Sequence, residues 1–382
     1  MSKHSRTFEL TPTDAWFFRD GSAYTHRPKK SEGESSDSSD DQSGVVSQFP
    51  PSAASVIGAV RAASALAMGW NGRDNWSGEI VAVLGDGPDD LGPLQFTGPF
   101  VARCGQPLFP LPLHVLGVTK ENETFEPREL LRPQTGPGYP TDLGQVRLPV
   151  RAPRADNNPG EKLKTAENAF VTKDGLETIL KGEMPSTGYV FLPKNLWSLE
   201  SRVGLVRDRE THTVADEALY SPSFVRLHRG VSLVATVSGL PGDLRLTDQI
   251  PFGGESRSAL IEEWDDPIAL PASPPTPGKH QTVILLTPLP CPTSGGESFS
   301  APGPGDELPG CRGVTVVSAC VGKPVHYGGW DSRTNVPLPL RPHLPAGSVF
   351  FCECADYATL PERLGDRTAH GLGQYLTGPW PQ

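Results

Sequence analysis

Glycine and proline interrupt this chain so often that a long helix has almost nowhere to form. There are 41 of each among 382 residues, and only 36% of the residues are hydrophobic. Neither residue sustains a helix or a central strand, so the chain is confined to short helices, strands and long connections, and a helical bundle is excluded. The length leaves room for two domains with a buried core.

Two stretches escape this punctuation. In FPPSAASVIGAVRAASALAMGW, Pro50 and Pro51 stop any upstream helix and Ser52 or Ser55 can cap the first turn. Val56, Ile57, Val60, Ala63 and Ala67 then recur on one stripe, which predicts a packed helix with Arg61 off that stripe. Its free N–H groups at Ser52 to Ser55 are a candidate phosphate seat. A second helix is predicted over Lys173–Lys181, with Leu176, Ile179 and Leu180 as its apolar face, Thr172 or Asp174 as cap and Gly182 as stop.

Elsewhere the pattern is that of strands. Phe8 and Leu10 alternate with polar neighbours before a turn at Arg19-Asp20-Gly21. Val231, Leu233, Ala235 and Val237 alternate strictly, and the break at Arg229-Gly230 predicts a hairpin. Further strands are expected in TVILLTPLP and over 314–321 and 348–352. Residues 92–116 are so rich in proline that edge strands, and no central strand, are expected there. Residues 117–168 read as long connections.

The formal charge of −10 denies the chain the basic field of an indiscriminate polyanion binder, so any nucleic-acid contact has to be local. Arginine is concentrated in WSLESRVGLVRDRETHTVADEALYSPSFVRL. Between Glu200 and Arg229, Arg202, Arg207, Arg209, Arg226 and Arg229 meet Glu200, Asp208, Glu210, Asp216 and Glu217 without net charge. A planar guanidinium holds phosphate oxygens in a fixed direction and stacks on bases. The same residues equally suit a solvated loop laced with internal ion pairs. Arg19, His26 and Arg27 form a second cationic cluster, followed by the serine- and acid-rich tract SEGESSDSSDD, read as a mobile loop. IPFGGESRSAL sets Gly253 and Gly254 beside Arg257, where bare backbone can approach a phosphate.

Known cofactor motifs are missing. His370-Gly371-Leu372-Gly373-Gln374-Tyr375 is not set in a strand-to-helix unit, and no P-loop, HExxH, paired CxxC or EF-hand pattern occurs. Neither a cofactor nor a metal is expected. The six cysteines follow no disulfide framework, and no apolar run reaches the length of a membrane span, so a cytoplasmic chain with reduced thiols is expected. His26, His212, His228 and His370 each lie near arginine, which leaves a metal-free ribonuclease open.

Five segments together resemble the RAMP-superfamily proteins of CRISPR systems, specifically the Cmr-complex (type III-B) subunit that caps the 5′ handle of the guide RNA. They are WFFRDGSAY, FPPSAASVIGAVRAA, LESRVGLVRDRETHTVADEALYSPSFVRL, FGGESRSA and the glycine-rich HGLGQYLTG. The resemblance implies an α+β protein of two ferredoxin-like (RRM-like) modules with β-hairpin and loop insertions. They would span 1–200, with the acidic loop at 31–44, and 201–382, with Pro/Gly-rich insertions at 268–312. It implies a non-catalytic subunit bound to the crRNA 5′ handle, the large polymerase-like Cmr subunit and the first backbone RAMP subunit. The implied RNA contacts are Arg19, His26, Arg27, Ser52, Ser55, Arg61, Arg202, Arg207, Arg209, Gly253, Gly254, Arg257, Gly371 and Gly373. The alternatives are a metal-independent RAMP-type endoribonuclease that trims guide precursors, with His26 or His370 as base, and a scaffold that contacts only proteins.

Overall fold

The computed structural model describes residues 5–19, 46–141, 144–152, 162–207, 214–264, 267–273, 279–291, 301–331, 334 and 336–380; for 204–207 and 214–220 it describes the backbone alone. Its main elements are β1 (Ser5–Pro12), α1 (Ala53–Ala67), α2 (Gly78–Leu84), β2 (Gln95–Arg103), β3 (Gln106–Pro110), β4 (Phe170–Thr172), α3 (Lys173–Leu180) and β5 (Val190–Phe191). There follow β6 (Trp197–Ser201), β7 (Ser223–Leu227), β8 (Val231–Ser238), β9 (Gln249–Pro251), β10 (Ser258–Trp264), β11 (His280–Leu285) and β12 (Arg312–Cys320). The last are β13 (Val325–Asp331), β14 (Val336–Leu344), β15 (Val349–Thr359) and β16 (Tyr375–Pro379). Strands dominate, as the breakers require, and the class is α+β. No helix among the described residues is long and apolar enough to cross a membrane.

Two antiparallel sheets carry the fold. The larger runs β5-β4-β3-β2-β8-β1-β10-β9 and the smaller β12-β15-β11-β16. In the larger sheet β8 lies between β1 and β2, so β1, α1 and β2 make a β-α-β unit split by a later strand. The smaller sheet repeats this order: its first strand, β11, lies between the third and fourth, β15 and β16, and the second, β12, lies outside the third. Because β8 and β10 belong to the larger sheet, the chain passes from one sheet to the other after Trp264.

Alternation sorts the larger sheet into two cores. Phe8, Leu10, Val101, Leu108 and Leu233 face α1, where Val56, Ile57, Val60 and Ala63 complete the packing. Phe100, Ala102, Phe109 and Val234 face the other way, onto Ile284, Val349, Phe351 and Leu376 of the smaller sheet and onto Leu176, Ile179 and Leu180 of α3. The second face of the smaller sheet is covered by loops through Leu308, Cys311 and Leu364. Apolar burial at roughly 25 cal/mol per Å2 makes these two interfaces the main source of cohesion.

Three expectations need correction. β2 is an interior strand despite Pro99, because the register with β8 shifts between Val234 and Thr236, and such an irregularity is where a proline without an N–H is tolerated. Arg229-Gly230 turns the chain, with Val231 N donating to His228 O at 3.0 Å, but it closes no hairpin. β7 pairs with β6, whereas β8 joins the main sheet, so the turn hands the chain from one sheet to another. Residues 117–168 include short paired strands, Val115–Thr119 with Phe125–Leu130 among them, that irregular composition concealed. The turn expected at Arg19-Asp20-Gly21 falls largely outside the described residues.

The C-terminal glycine loop ties the halves together. Gly371 has φ +79°, and a Cβ there would come within 2.5 Å of Gly98 O; Gly373 has φ +68°, and its Cβ would meet Leu364 O at 1.9 Å. Gln374 Oε1 accepts from Gly98 N at 3.2 Å, and Arg363 donates to Phe96 O at 2.7 Å and Thr97 Oγ1 at 3.0 Å. Gly373→Ala is therefore expected to cost on the order of 3 kcal/mol by chemical denaturation, through both the left-handed backbone and the backbone clash. A change within about 0.5 kcal/mol, the scale of an ordinary surface substitution, would contradict that role.

Candidate nucleic-acid interface

The arginine-dense stretch meets the N-terminal aromatic segment through backbone pairing. Trp16 N donates to Val225 O at 2.9 Å and Val225 N to Trp16 O at 2.8 Å, which pins the chain after β1 beside β7. The Trp16 ring is fully buried, its Nε1 donates to Ser258 O at 3.0 Å, and Phe18, Phe49 and Phe252 surround it. Buried on this anchor, the segment leaves Asp14 outside.

Three guanidiniums converge on Asp14. Arg202 Nη2 donates to Oδ2 at 2.8 Å, Arg226 Nη2 to Oδ1 at 2.9 Å and Arg257 Nη1 to Oδ2 at 3.2 Å. Glu200 accepts from Arg202 Nε at 2.7 Å and from Arg226 Nε, closing a ring of alternating charge. Phe224 lies beneath, 4.9 Å from the Arg202 guanidinium and 4.6 Å from that of Arg257, and Phe17 packs beside it at 5.3 Å. Three arginines against two carboxylates leave one positive charge on a partly exposed shelf. Hydrogen bonds from Arg202 and Arg226 hold the Asp14 carboxyl down at about 2, and the same pair lowers Glu200.

The FGGESR turn sets Arg257 in place. Gly253 has φ +88° and a Cβ there would lie 2.7 Å from Phe17 O, while Gly254 N donates to that oxygen at 2.7 Å. Phe252 N donates to Arg257 O at 2.8 Å, which closes the turn. The glycines thus do admit a close backbone, and the backbone admitted is that of Phe17. The structure brings Arg202, Gly253, Gly254 and Arg257 together.

Other sequence candidates lie elsewhere. Arg19 is exposed and its backbone bridges to Ser47. Ser52 occupies the N-cap position of α1 without a side-chain cap bond, its hydroxyl 3.3 Å from that of Ser55. Arg61, expected at the surface, is buried instead: it donates to Gly87 O at 2.6 Å, Gly85 O at 3.0 Å and Asp90 O at 3.3 Å, and it lies 5.0 Å from the Trp76 ring. α1 is covered on more than its apolar stripe, which the stripe alone could not reveal. Gly371 and Gly373 pack on protein backbone as described above. His370 is buried, with Nε2 2.9 Å from Pro88 O, and burial lowers its pKa. His26, Arg27, Arg209 and His212 lie outside the described residues, and of Arg207 only the backbone is described.

Sequence reasoning missed Asp14 and Phe224 and left Arg226 out of the site. The alternation of Phe224 with Arg226 and the lone acid ahead of three consecutive aromatics were the available signals. Among the described residues no group of three or more His, Cys, Asp or Glu side chains is placed to hold a metal ion.

The family described as CRISPR-associated protein (Cas_Cmr3), a subunit family of type III-B Cmr complexes, matches residues 8–380, and the chain belongs to it. No curated protein matches the chain. Among solved structures, a chain in the cryo-EM structure of the Type III-B Cmr-beta bound to cognate target RNA and AMPPnP shares 14% identity, with 90% of this chain and 86% of that one covered at a TM-score of 0.47. A chain in the Csm3-Csm4 subcomplex of the type III-A CRISPR-Cas interference complex shares 10% identity, with 97% and 98% covered at 0.40.

Asp14→Asn removes the charge at the centre of three guanidiniums. It is expected to cost about 1 kcal/mol after allowing for solvent screening of a partly exposed carboxylate. With its pKa lowered from 3.8 to about 2, the carboxylate contributes this stability above pH 4 and loses it as pH falls toward 2. Denaturation of the parent and variant at pH 7 and pH 2.5 checks this: the difference between them should shrink at the lower pH, and a constant difference would contradict it.

Proposed function

We propose that this chain is a non-catalytic, RNA-binding subunit of a type III-B Cmr effector complex that holds and caps the 5′ handle of the crRNA in the cytoplasm. It lies against the large polymerase-like subunit and the first backbone RAMP subunit. The observation that carries this reading is the ring of Arg202, Arg226 and Arg257 around Asp14 over Phe224. Each guanidinium spends only part of its five N–H donors on Asp14 and Glu200, and the rest are held in fixed directions beside an aromatic surface. Such a shelf suits splayed nucleotides, which are recognised through backbone oxygens and stacking with no bond broken.

The repeated strand order supports the same reading. Among β1, β2, β8 and β10 of the larger sheet and among the four strands of the smaller, the first sits between the third and fourth and the second lies outside the third, which is the order of a ferredoxin-like (RRM-like) module. In the larger sheet α1 and α2 lie in the first crossover, and among the described residues the other crossovers hold no α-helix. The competing reading, a metal-independent endoribonuclease, needs an accessible base. Of its two candidate bases, His370 is buried beside the Pro88 carbonyl, and His26 lies outside the described residues.

In the assembled complex carrying an end-labelled guide, Arg202→Glu with Arg226→Glu is expected to weaken guide retention by roughly tenfold or more, since two charge-assisted contacts become repulsive. Thermal unfolding of the same complex checks that the chain stays folded. Unchanged retention would favour the protein-only scaffold. Incubation of the purified chain with repeat-containing RNA in a chelator should leave the RNA intact, and cleavage would establish the enzyme reading instead.

A further inference from the structure

Residues 131–141 and 144–152 pair in two short antiparallel steps. Arg132–Pro133 pairs with Pro149–Val150, and Tyr139–Thr141 with Gly144–Val146. In a chain of net charge −10, this stretch carries Arg132, Arg147 and Arg151 against Asp142, which lies outside the described residues. Arg151 Nε donates to Glu129 at 2.7 Å and Arg147 reaches Glu353 at 3.5 Å, so each keeps other donors outward. Arg132 has no acidic partner among the described residues.

The outer step carries an exposed aromatic ring and is braced by side-chain hydrogen bonds. Tyr139 is 52% exposed. Thr141 Oγ1 donates to Gly144 O at 3.0 Å, and the Gln145 amide, oriented to satisfy its neighbours, donates to Pro137 O at 3.0 Å and Gly138 O at 3.3 Å. Gly138, at φ +80°, lets Val146 O approach to where a Cβ would be 2.7 Å away. A side chain on so braced a step loses little freedom on stacking.

The hairpin stem lies against β12, and β12 with its neighbour β15 carries a second pair of the same kind. Tyr357 is 67% exposed, with Arg312 6.0 Å from its centroid. Its ring rests over Gly313, where a Cβ would be 2.8 Å from Tyr357 Cε2. Arginines with outward donors and two exposed tyrosine faces thus share one edge of the smaller sheet.

We propose that this edge, from Tyr139 through Arg132, Arg147 and Arg151 to Arg312 and Tyr357, is a sequence-tolerant docking strip for single-stranded RNA, separate from the Asp14 ring. An acidic protein surface would use the arginines but has no need of two presented aromatic faces. Bases have that need, since each stacks on a ring whatever its identity while the arginines follow the phosphates.

The test uses the purified full-length chain and a labelled twelve-nucleotide oligouridylate. Arg132→Glu with Arg147→Glu is expected to weaken binding at least about tenfold and to flatten its dependence on salt, and Tyr139→Ala to weaken it about tenfold. Tyr139→Phe, which keeps the stacking face, is expected to restore binding. An affinity untouched by the paired charge reversal would overturn the proposal, as would Phe behaving like Ala. So would loss of a partner subunit from the complex with oligouridylate binding intact, which identifies a protein-docking edge. Charge reversal at Arg202 and Arg226 probes guide retention separately, so failure of one reading leaves the other standing.

Discussion

β8 is buried on both faces along most of its length, and the molecule is arranged around it. Within β8, Val231, Leu233 and Ala235 belong to the core under α1, while Val234 belongs to the core shared with the smaller sheet. A strand buried on both sides cannot slip by one residue without placing every side chain in the wrong core. It therefore fixes the register of β1 and β2 at once, with Phe8 opposite Ala235 and Val101 opposite Leu233. The split β-α-β unit and the stacking of the second sheet follow from that placement.

The charged shelf is attached to this frame at its aromatic end. Trp16, Phe18, Phe49 and Phe252 make a buried plug from segments far apart in sequence, and the chain leaving the plug carries Asp14 outward. Burial thus positions the acid, and the acid gathers the arginines. Without Asp14 and Glu200, three guanidiniums on a small area would repel one another; with them, one excess positive charge remains, aimed and short in range. A chain of net charge −10 can offer nucleic acid such a local contact without a basic field.

Much of this was legible in the residues. The periodicity of Val56, Ile57, Val60 and Ala63 gave α1 and its buried face, and Thr172 does cap α3, accepting from Gly175 N at 3.2 Å. What escaped was the assignment of groups that satisfy one another within the fold. Arg61 holds three backbone carbonyls, and Gly371 and Gly373 admit protein backbone, because a guanidinium and a bare glycine look alike in sequence whether their partner is internal or external. Asp14 escaped for the converse reason, since its partners lie some two hundred residues downstream and no local pattern announces them. Pro99 misled because the register shift that tolerates it is a property of the pair of strands.

The account rests on the Asp14 ring facing the start of the guide. A photoreactive nucleotide at the 5′ end of the guide, crosslinked in the assembled complex and mapped to peptides, measures this directly. The account predicts crosslinks to this chain in the peptides that carry Arg202, Phe224 or Arg257. Crosslinks confined to other subunits would contradict it.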